Sequence, residues 1–135
     1  MSISRRGGLG DISRAKPHGA AFLKNAPLGI VVCGDPQISD VWIENSSIAS
    51  IYIHLAAASL DLGSCWIQIR ERPHDDSRSA EAYIADVLNL PANLRVLSII
   101  AIGYPDESKA SHPADTLAWD RVFFNNHATP YPHKR

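Results

Sequence analysis

The sequence has little excess charge of either sign. Thirteen lysines and arginines stand against fourteen aspartates and glutamates, which leaves a net charge of -1. This balance provides no overall electrostatic attraction to nucleic acid or to an anionic membrane surface. The first ten residues contain no apolar stretch of the kind that a secretory signal requires. We therefore predict a cytoplasmic protein with neither a nucleic-acid nor a membrane partner.

Cysteine is also scarce, and the two cysteines, Cys33 and Cys65, each lie inside an apolar run. This placement predicts buried free thiols in a reducing compartment, with a disulfide as the less favoured alternative. Neither cysteine has a second cysteine or a histidine at metal-ligand spacing, and the six histidines are dispersed. We predict no metal site.

Three apolar segments rich in β-branched residues predict strands at 28–34, 64–69 and 94–103. The last segment is the longest, and its continuous apolar part predicts a sheet that is covered on both faces. A sheet usually has about five or six strands. Three are few, which indicates that part of the sheet lies outside these segments.

The stretch VWIENSSIASIYIHLAAASLDL, residues 41–62, predicts a long helix because of its length, its alanines and the stop at Gly63. Its interior serines, Asn45 and His54 interrupt the apolar surface and exclude a membrane span. Few charged groups occur on it, so most of its circumference should be covered by protein. A symmetric partner packing helix against helix would provide that cover.

The remaining segments complete one predicted domain over residues 1–135. Residues 1–10 are expected to be flexible, and 11–25 to form short helical pieces. A second helix is predicted at about 79–90, capped by Ser77 or Ser79 and ended by Pro91. After Tyr104 the chain should be irregular, with a short turn near 116–121.

The segments NAPLGIVVCGDP, DVWIENSSIASIYIHLAAASLDLGSCWIQIRER and LSIIAIGYPDESK, in this order, resemble the nitroreductase family. More narrowly, they are similar to a branch with a Cys-Trp-x-Gln-Ile-Arg strand, and the resemblance covers about residues 11–125. It implies an α+β fold: an α/β sandwich of a mixed sheet flanked by helices, with a long buried helix, 41–62, at a homodimer interface. The chain is expected to lack the usual N-terminal segment.

The resemblance also implies a function. The family binds FMN at the dimer interface and passes electrons from NAD(P)H to nitro-compounds, quinones or similar acceptors, so that the cofactor supplies the chemistry. We therefore expect an FMN-dependent oxidoreductase, and we predict no catalytic side chain. The alternative is a non-catalytic remnant of the fold that dimerises or binds a ligand.

Five residues are expected at the cofactor. Trp66, Ile67 and Gln68 resemble the strand that passes the flavin ring, whereas Arg70 and Lys109 resemble groups near its phosphate. A buried phosphate needs such cations or backbone donors.

Two departures from the family pattern bear on this site. Most of the family has glycine where Gln68 stands, so glutamine narrows the space beside the ring. Full-length relatives also begin with an arginine-rich segment that holds FMN. Arg5 and Arg6 do not match that motif, because GGLGD follows them.

Overall fold

The computed structural model describes residues 1–4 and 8–132, with only the backbone of residues 3 and 4. Arg5 and Arg6 lie outside the described residues. Contacts divide the chain into two units, Met1–Pro105 and Asp106–Arg135, which are treated separately below. A single domain over 1–135 stays a prediction, as does the flexibility of residues 1–10.

The first unit contains a four-stranded sheet with the spatial order β1-β2-β4-β3. Its strands are β1 (Ser2–Ser4), β2 (Leu28–Gly34), β3 (Gly63–Gln68) and β4 (Arg95–Gly103). The three predicted strands are confirmed, and β1 adds a short strand at one edge. All three pairings are antiparallel. The sheet of the described strands is therefore antiparallel, whereas the resemblance implied a mixed sheet within the same α+β fold.

Helices cover both faces of this sheet, as the continuous apolar pattern of β4 predicted. They are α1 (Leu9–Ile12), α2 (Trp42–Ser59) and α3 (Ala80–Val87), with a 3-10 turn at Ala21–Asn25. One face packs against α1, α3 and this turn in the first core, which includes Leu9, Ile12, Leu23, Ile67, Ile84 and Ile99. The other face packs against α2 in the second core, around Val32, Ala57, Ile100 and Ile102.

The predicted long helix exists, but it ends earlier than Gly63. Asp61 has a left-handed φ of 55°. Its N–H donates to Ala58 O at 3.1 Å, and the Leu62 N–H donates to Ala57 O at 2.9 Å. These two bonds form a Schellman cap, which satisfies carbonyls of the last helical turn. Gly63 is instead the first residue of β3.

The second predicted helix is confirmed in type and cap. Ser79 Oγ accepts the Ala82 N–H at 3.1 Å, so Ser79 is the N-cap. Ser79 was one of the two predicted candidates. The helix ends in another left-handed residue, Asn89, with φ of 49°. Pro91 therefore follows the helix end without forming it.

Small residues let α2 lie close to the sheet. Ser50 is fully buried, and its Oγ lies 3.0 Å from Ser98 Oγ of β4. Gly34 of β2 leaves room for Trp42, because a Cβ at Gly34 would lie 2.9 Å from Trp42 Cε3. Around Ser50 the sheet-facing side of α2 thus carries a short side chain, whereas Trp42 and Ile53 are large residues of α2 that also pack against the sheet.

The opposite side of α2 is an exposed apolar surface in this chain. We call it the α2 stripe: Ile48, Ile51, Tyr52 and Leu55, which are 54–68% exposed. Spacings of three and four residues place them on one helix face. Together with Ser47 they line a groove of about 380 Å³. None of the helices in the described part of the chain is both long enough and apolar enough to cross a membrane.

One cysteine prediction is wrong. Both thiols are free, but only Cys33 is partly buried, whereas Cys65 is exposed. Cys65 belongs to β3, which is an edge strand, so neighbouring structure covers it from one side only.

In the second unit, 3-10 turns at Ala114–Thr116 and Trp119–Arg121 match the predicted irregular region with its short turn. The rings of Trp119 and Tyr131 stack within this unit, with centroids 6.1 Å apart.

Candidate functional site

The outer edge of β3 carries backbone groups that the sheet does not pair. In antiparallel pairing, opposed residues alternate between hydrogen-bonded and non-bonded pairs. The Ile69 N–H donates to Leu97 O at 3.1 Å, directly after the Gln68–Ser98 pair. By the same alternation, the N–H and C=O groups of Ser64, Trp66 and Gln68 point away from β4. Among the described strands, none pairs with β3 on that side. We call this the β3 edge.

The side chains of the same three residues lie on the α2 face of the sheet, because facing alternates along a strand. Trp66 packs against the second core. The Trp66 indole N–H donates to Gln68 Oε1 at 3.0 Å, and Gln68 Nε2 donates to Arg70 O at 2.9 Å. A ligand at the β3 edge would therefore meet backbone groups and the Gln68 amide together.

Arg70 follows the end of β3 by two residues and carries the positive charge. Glu71 has a left-handed φ of 57°, so the chain turns directly after Arg70. The Arg70 guanidinium forms an ion pair with Glu71 at 2.6 Å, and the Glu71 side chain is 72% exposed. A guanidinium has five N–H donors. Arg70 can therefore contact a further anion, although the charge of Glu71 offsets its attraction.

Ile67 and Lys109 are placed differently from the other predicted residues. Ile67 is 1% exposed within the first core, on the other face of the sheet. By the same alternation, the N–H and C=O groups of Ile67 are hydrogen-bonded to Ile99 of β4. Neither the side chain nor the backbone of Ile67 therefore faces the β3 edge. Lys109 belongs to the second unit, where its ammonium lies 2.7 Å from Glu107 Oε1.

The structure adds two residues that sequence reasoning did not select. His54 Nδ1 lies 2.7 Å from Ser64 Oγ, which links α2 to β3. The His54 ring also stacks on Trp66, with an interplanar angle of 10° and centroids 6.5 Å apart. His54 could have been selected from the sequence, because it is the sole imidazole in the apolar stretch 41–62. Nothing in the sequence pattern distinguishes Ser64.

A second cavity, of about 310 Å³, lies where β2 meets the start of α2. It is lined by residues that include Cys33, Gly34, Ile38, Trp42 and Ala49. Burial raises the pKa of the Cys33 thiol. The thiol is thus the dominant form at neutral pH, and Cys33 is not an activated nucleophile. Among the described residues, no cluster of histidine, cysteine, aspartate and glutamate could hold a metal ion.

The donor set of the β3 edge fits the polar edge of a flavin ring, which needs both donors and acceptors. Backbone N–H and C=O groups that no described strand pairs are available for it, together with one Gln68 amide N–H. Of these groups, the Trp66 C=O also accepts from Cys65 Sγ at 3.8 Å. The fit to a phosphate is weaker, because within Met1–Pro105 the predicted cation, Arg70, is already paired with Glu71. The described residues of the β3 edge therefore fit the flavin ring of FMN. Arg70 could also contact the FMN phosphate, but Glu71 offsets part of its charge.

Comparisons with known proteins agree with this fold. A family model described as "Nitroreductase family" matches residues 5–104. A protein from Archaeoglobus fulgidus, provisionally named NADH dehydrogenase/NAD(P)H nitroreductase, is 36% identical over 98 residues, which are 70% of this chain and 53% of that protein. A protein of the same provisional name from Methanothermobacter thermautotrophicus is 34% identical over 123 residues, 89% of this chain and 60% of that protein. The chain thus spans somewhat more than half the length of these curated relatives.

A solved structure gives the same result. An FMN-dependent nitroreductase from Clostridium difficile R20291 superimposes with a TM-score of 0.90 at 44% identity, over 93% of this chain and 73% of that chain. The expected α+β fold is confirmed by this similarity. The sequence match and the shared architecture lead to one conclusion: the chain belongs to the nitroreductase family.

Proposed function

We propose that this chain is an FMN-dependent oxidoreductase of the nitroreductase type, which passes electrons from NAD(P)H to nitro-compounds, quinones or similar acceptors. The observation that carries the proposal is the similarity, at 44% identity over 93% of the chain, to a protein that is an FMN-dependent nitroreductase. The donor set of the β3 edge supports it independently, because it fits the polar edge of a flavin ring.

FMN, when bound, would supply the hydride-transfer chemistry, while the protein would bind and orient it. The backbone of Trp66 and Gln68 at the β3 edge would hold the ring, together with the Gln68 amide. Arg70 and Lys109 would contribute positive charge toward the phosphate. Ile67 would support the strand from the first core without contact to the cofactor.

The proposed active form is a homodimer through α2. The α2 stripe is apolar and exposed, and it stands on the helix that also carries His54 beside Trp66. Exposed apolar patches on a soluble protein mark interaction surfaces. A two-fold axis would pair the stripe with its own copy and remove it from water. The predicted cytoplasmic location stays a prediction.

The test is a visible absorption spectrum of the purified full chain, repeated after addition of FMN and desalting. We expect a retained flavin band, shifted from that of free FMN, which NADH or NADPH bleaches and a quinone restores. A colourless protein that releases all added FMN would contradict the proposal and favour the non-catalytic module.

A pair of lysine variants sharpens this test. Lys109→Ala should weaken FMN binding without changing the unfolding midpoint, because Lys109 is exposed. Lys24→Ala removes an exposed lysine of the 3-10 turn that packs beside the first core, and it should leave FMN affinity unchanged. Equal affinities in both variants would remove Lys109 from the site.

A further inference from the structure

We propose that Trp66 is a positioning residue: its indole N–H fixes the Gln68 amide so that this amide acts as a hydrogen-bond donor toward the flavin. This inference rests on the proposed function. It concerns the side chain of Trp66, whereas the family resemblance implied a role only for the strand that carries it.

The two hydrogen bonds of Gln68 determine the orientation of its amide. An indole N–H can only donate, so the Gln68 atom facing it at 3.0 Å must be the oxygen. The Arg70 carbonyl can only accept, so the atom facing it at 2.9 Å must be the nitrogen. Exchanging oxygen and nitrogen would lose both hydrogen bonds. The chemistry of the neighbours therefore supports the orientation, which atom positions alone rarely establish.

This arrangement leaves one N–H of Gln68 Nε2 for a ligand. The amide nitrogen has two N–H donors, and the Arg70 carbonyl takes one of them. A glutamine without the indole contact could turn its oxygen toward the same ligand. Trp66 thus makes the Gln68 amide a hydrogen-bond donor toward the ligand, and the Trp66 ring in turn stacks on His54.

The chemical consequence is a preference for the reduced ligand. A hydrogen-bond donor stabilises an acceptor atom more strongly as that atom gains negative charge. Flavin reduction adds electron density to the ring's nitrogen and carbonyl acceptors. A fixed donor at the β3 edge should therefore raise the reduction potential of bound FMN as well as its affinity.

The experiment compares Trp66→Phe with a matched control in the full chain. Trp66→Phe keeps an aromatic ring beside His54 but removes the N–H donor. Trp42→Phe makes the same change at a buried indole at the start of α2, which lines the cavity beside β2 and is not a hydrogen-bond partner of the Gln68 amide. We expect Trp66→Phe to raise the Kd for FMN by about three- to tenfold, the usual net worth of one hydrogen bond. It should also shift the midpoint potential to a more negative value. Trp42→Phe should change neither.

A second variant keeps the inference testable if Trp66→Phe does not fold. Gln68→Glu still accepts from the indole, but it replaces the amide donor with a carboxylate. We expect the indole bond to persist and the potential of bound FMN to fall. In the FMN-free protein, the exchange rate of the Trp66 indole N–H with solvent should stay slow in Gln68→Glu and rise in Gln68→Ala.

The outcomes separate this inference from the proposed function. If wild-type protein retains FMN but Trp66→Phe or Gln68→Glu matches its potential, the inference is wrong and the proposed function stands. Rapid indole exchange in the FMN-free wild type would overturn the inference by itself. If wild-type protein binds no FMN, both the proposed function and the donor role of Gln68 are refuted.

Discussion

Substituting Leu55 by serine on the α2 stripe should weaken the proposed homodimer strongly. Leu55 is 60% exposed in the single chain, so an interface would bury somewhat more than half of it. Complete burial of a leucine side chain is worth about 1.5–3 kcal/mol, which scales to about 1–2 kcal/mol here. A two-fold dimer contains the residue twice. The expected loss is therefore about 2–4 kcal/mol, or about 30- to 700-fold in the dimer Kd.

Sedimentation equilibrium over a range of protein concentrations measures this change. Phe22→Ser is the matched control, because Phe22 is also apolar and 43% exposed but lies in the 3-10 turn beside the first core. It should leave the dimer Kd unchanged. Urea unfolding of both variants at low concentration checks that the folded monomer is retained, since serine replaces a side chain that contacts water.

Two results would refute the reasoning. A wild-type chain that stays monomeric at the highest concentration would show that the α2 stripe does not pair with its own copy. A dimer with unchanged Kd in Leu55→Ser would show that the chains associate through another surface.

Two further predictions concern stability. Gly34→Ala should lower the free energy of unfolding in urea by about 1–3 kcal/mol, the usual cost of overpacking, because the new Cβ would lie 2.9 Å from Trp42 Cε3. Gly10→Ala is the control: its Cβ would meet nothing within 4 Å, so this change should be neutral or stabilising. Partial burial raises the pKa of Glu81, but hydrogen bonds from Arg95 and a backbone N–H outweigh it and hold the pKa below its ordinary 4.5. Its ionised form therefore stabilises the fold fully above pH 4.5, and this contribution is lost as pH falls through the lower, folded-state pKa. Unfolding midpoints of wild type and Glu81→Gln should differ at pH 7 and converge in acid; a difference independent of pH would contradict this assignment.

The elements of the fold were largely predictable because their signals are local. The apolar run of β2 was predicted at 28–34, and the strand has these bounds. β1 was missed because three residues, SIS, have no pattern of their own and become a strand only by pairing with β2. The end of α2 was misplaced by the glycine rule, since Asp61 took the left-handed position that Gly63 was expected to provide.

The candidate site was predictable in part. The polar end of the strand at Gln68 and Arg70 was visible as a break in an apolar segment. The contact between His54 and Ser64 was not, because these residues belong to different elements and meet only when α2 packs on the sheet. The predicted role of Lys109 remains untested, since it stands in the second unit.

The sequence by itself determined most of the secondary-structure elements and the scarcity of charge on α2, because both follow from local composition and periodicity. The order of its motifs determined the family resemblance. The tertiary structure alone decided that β3 is an edge strand with unpaired backbone groups, and that Trp66 and Gln68 share the α2 face. It also separated α2 into a side that packs against the sheet and the exposed α2 stripe. The physical reason is that strand pairing and helix packing join residues distant in the chain, and no local pattern specifies which partner each one meets.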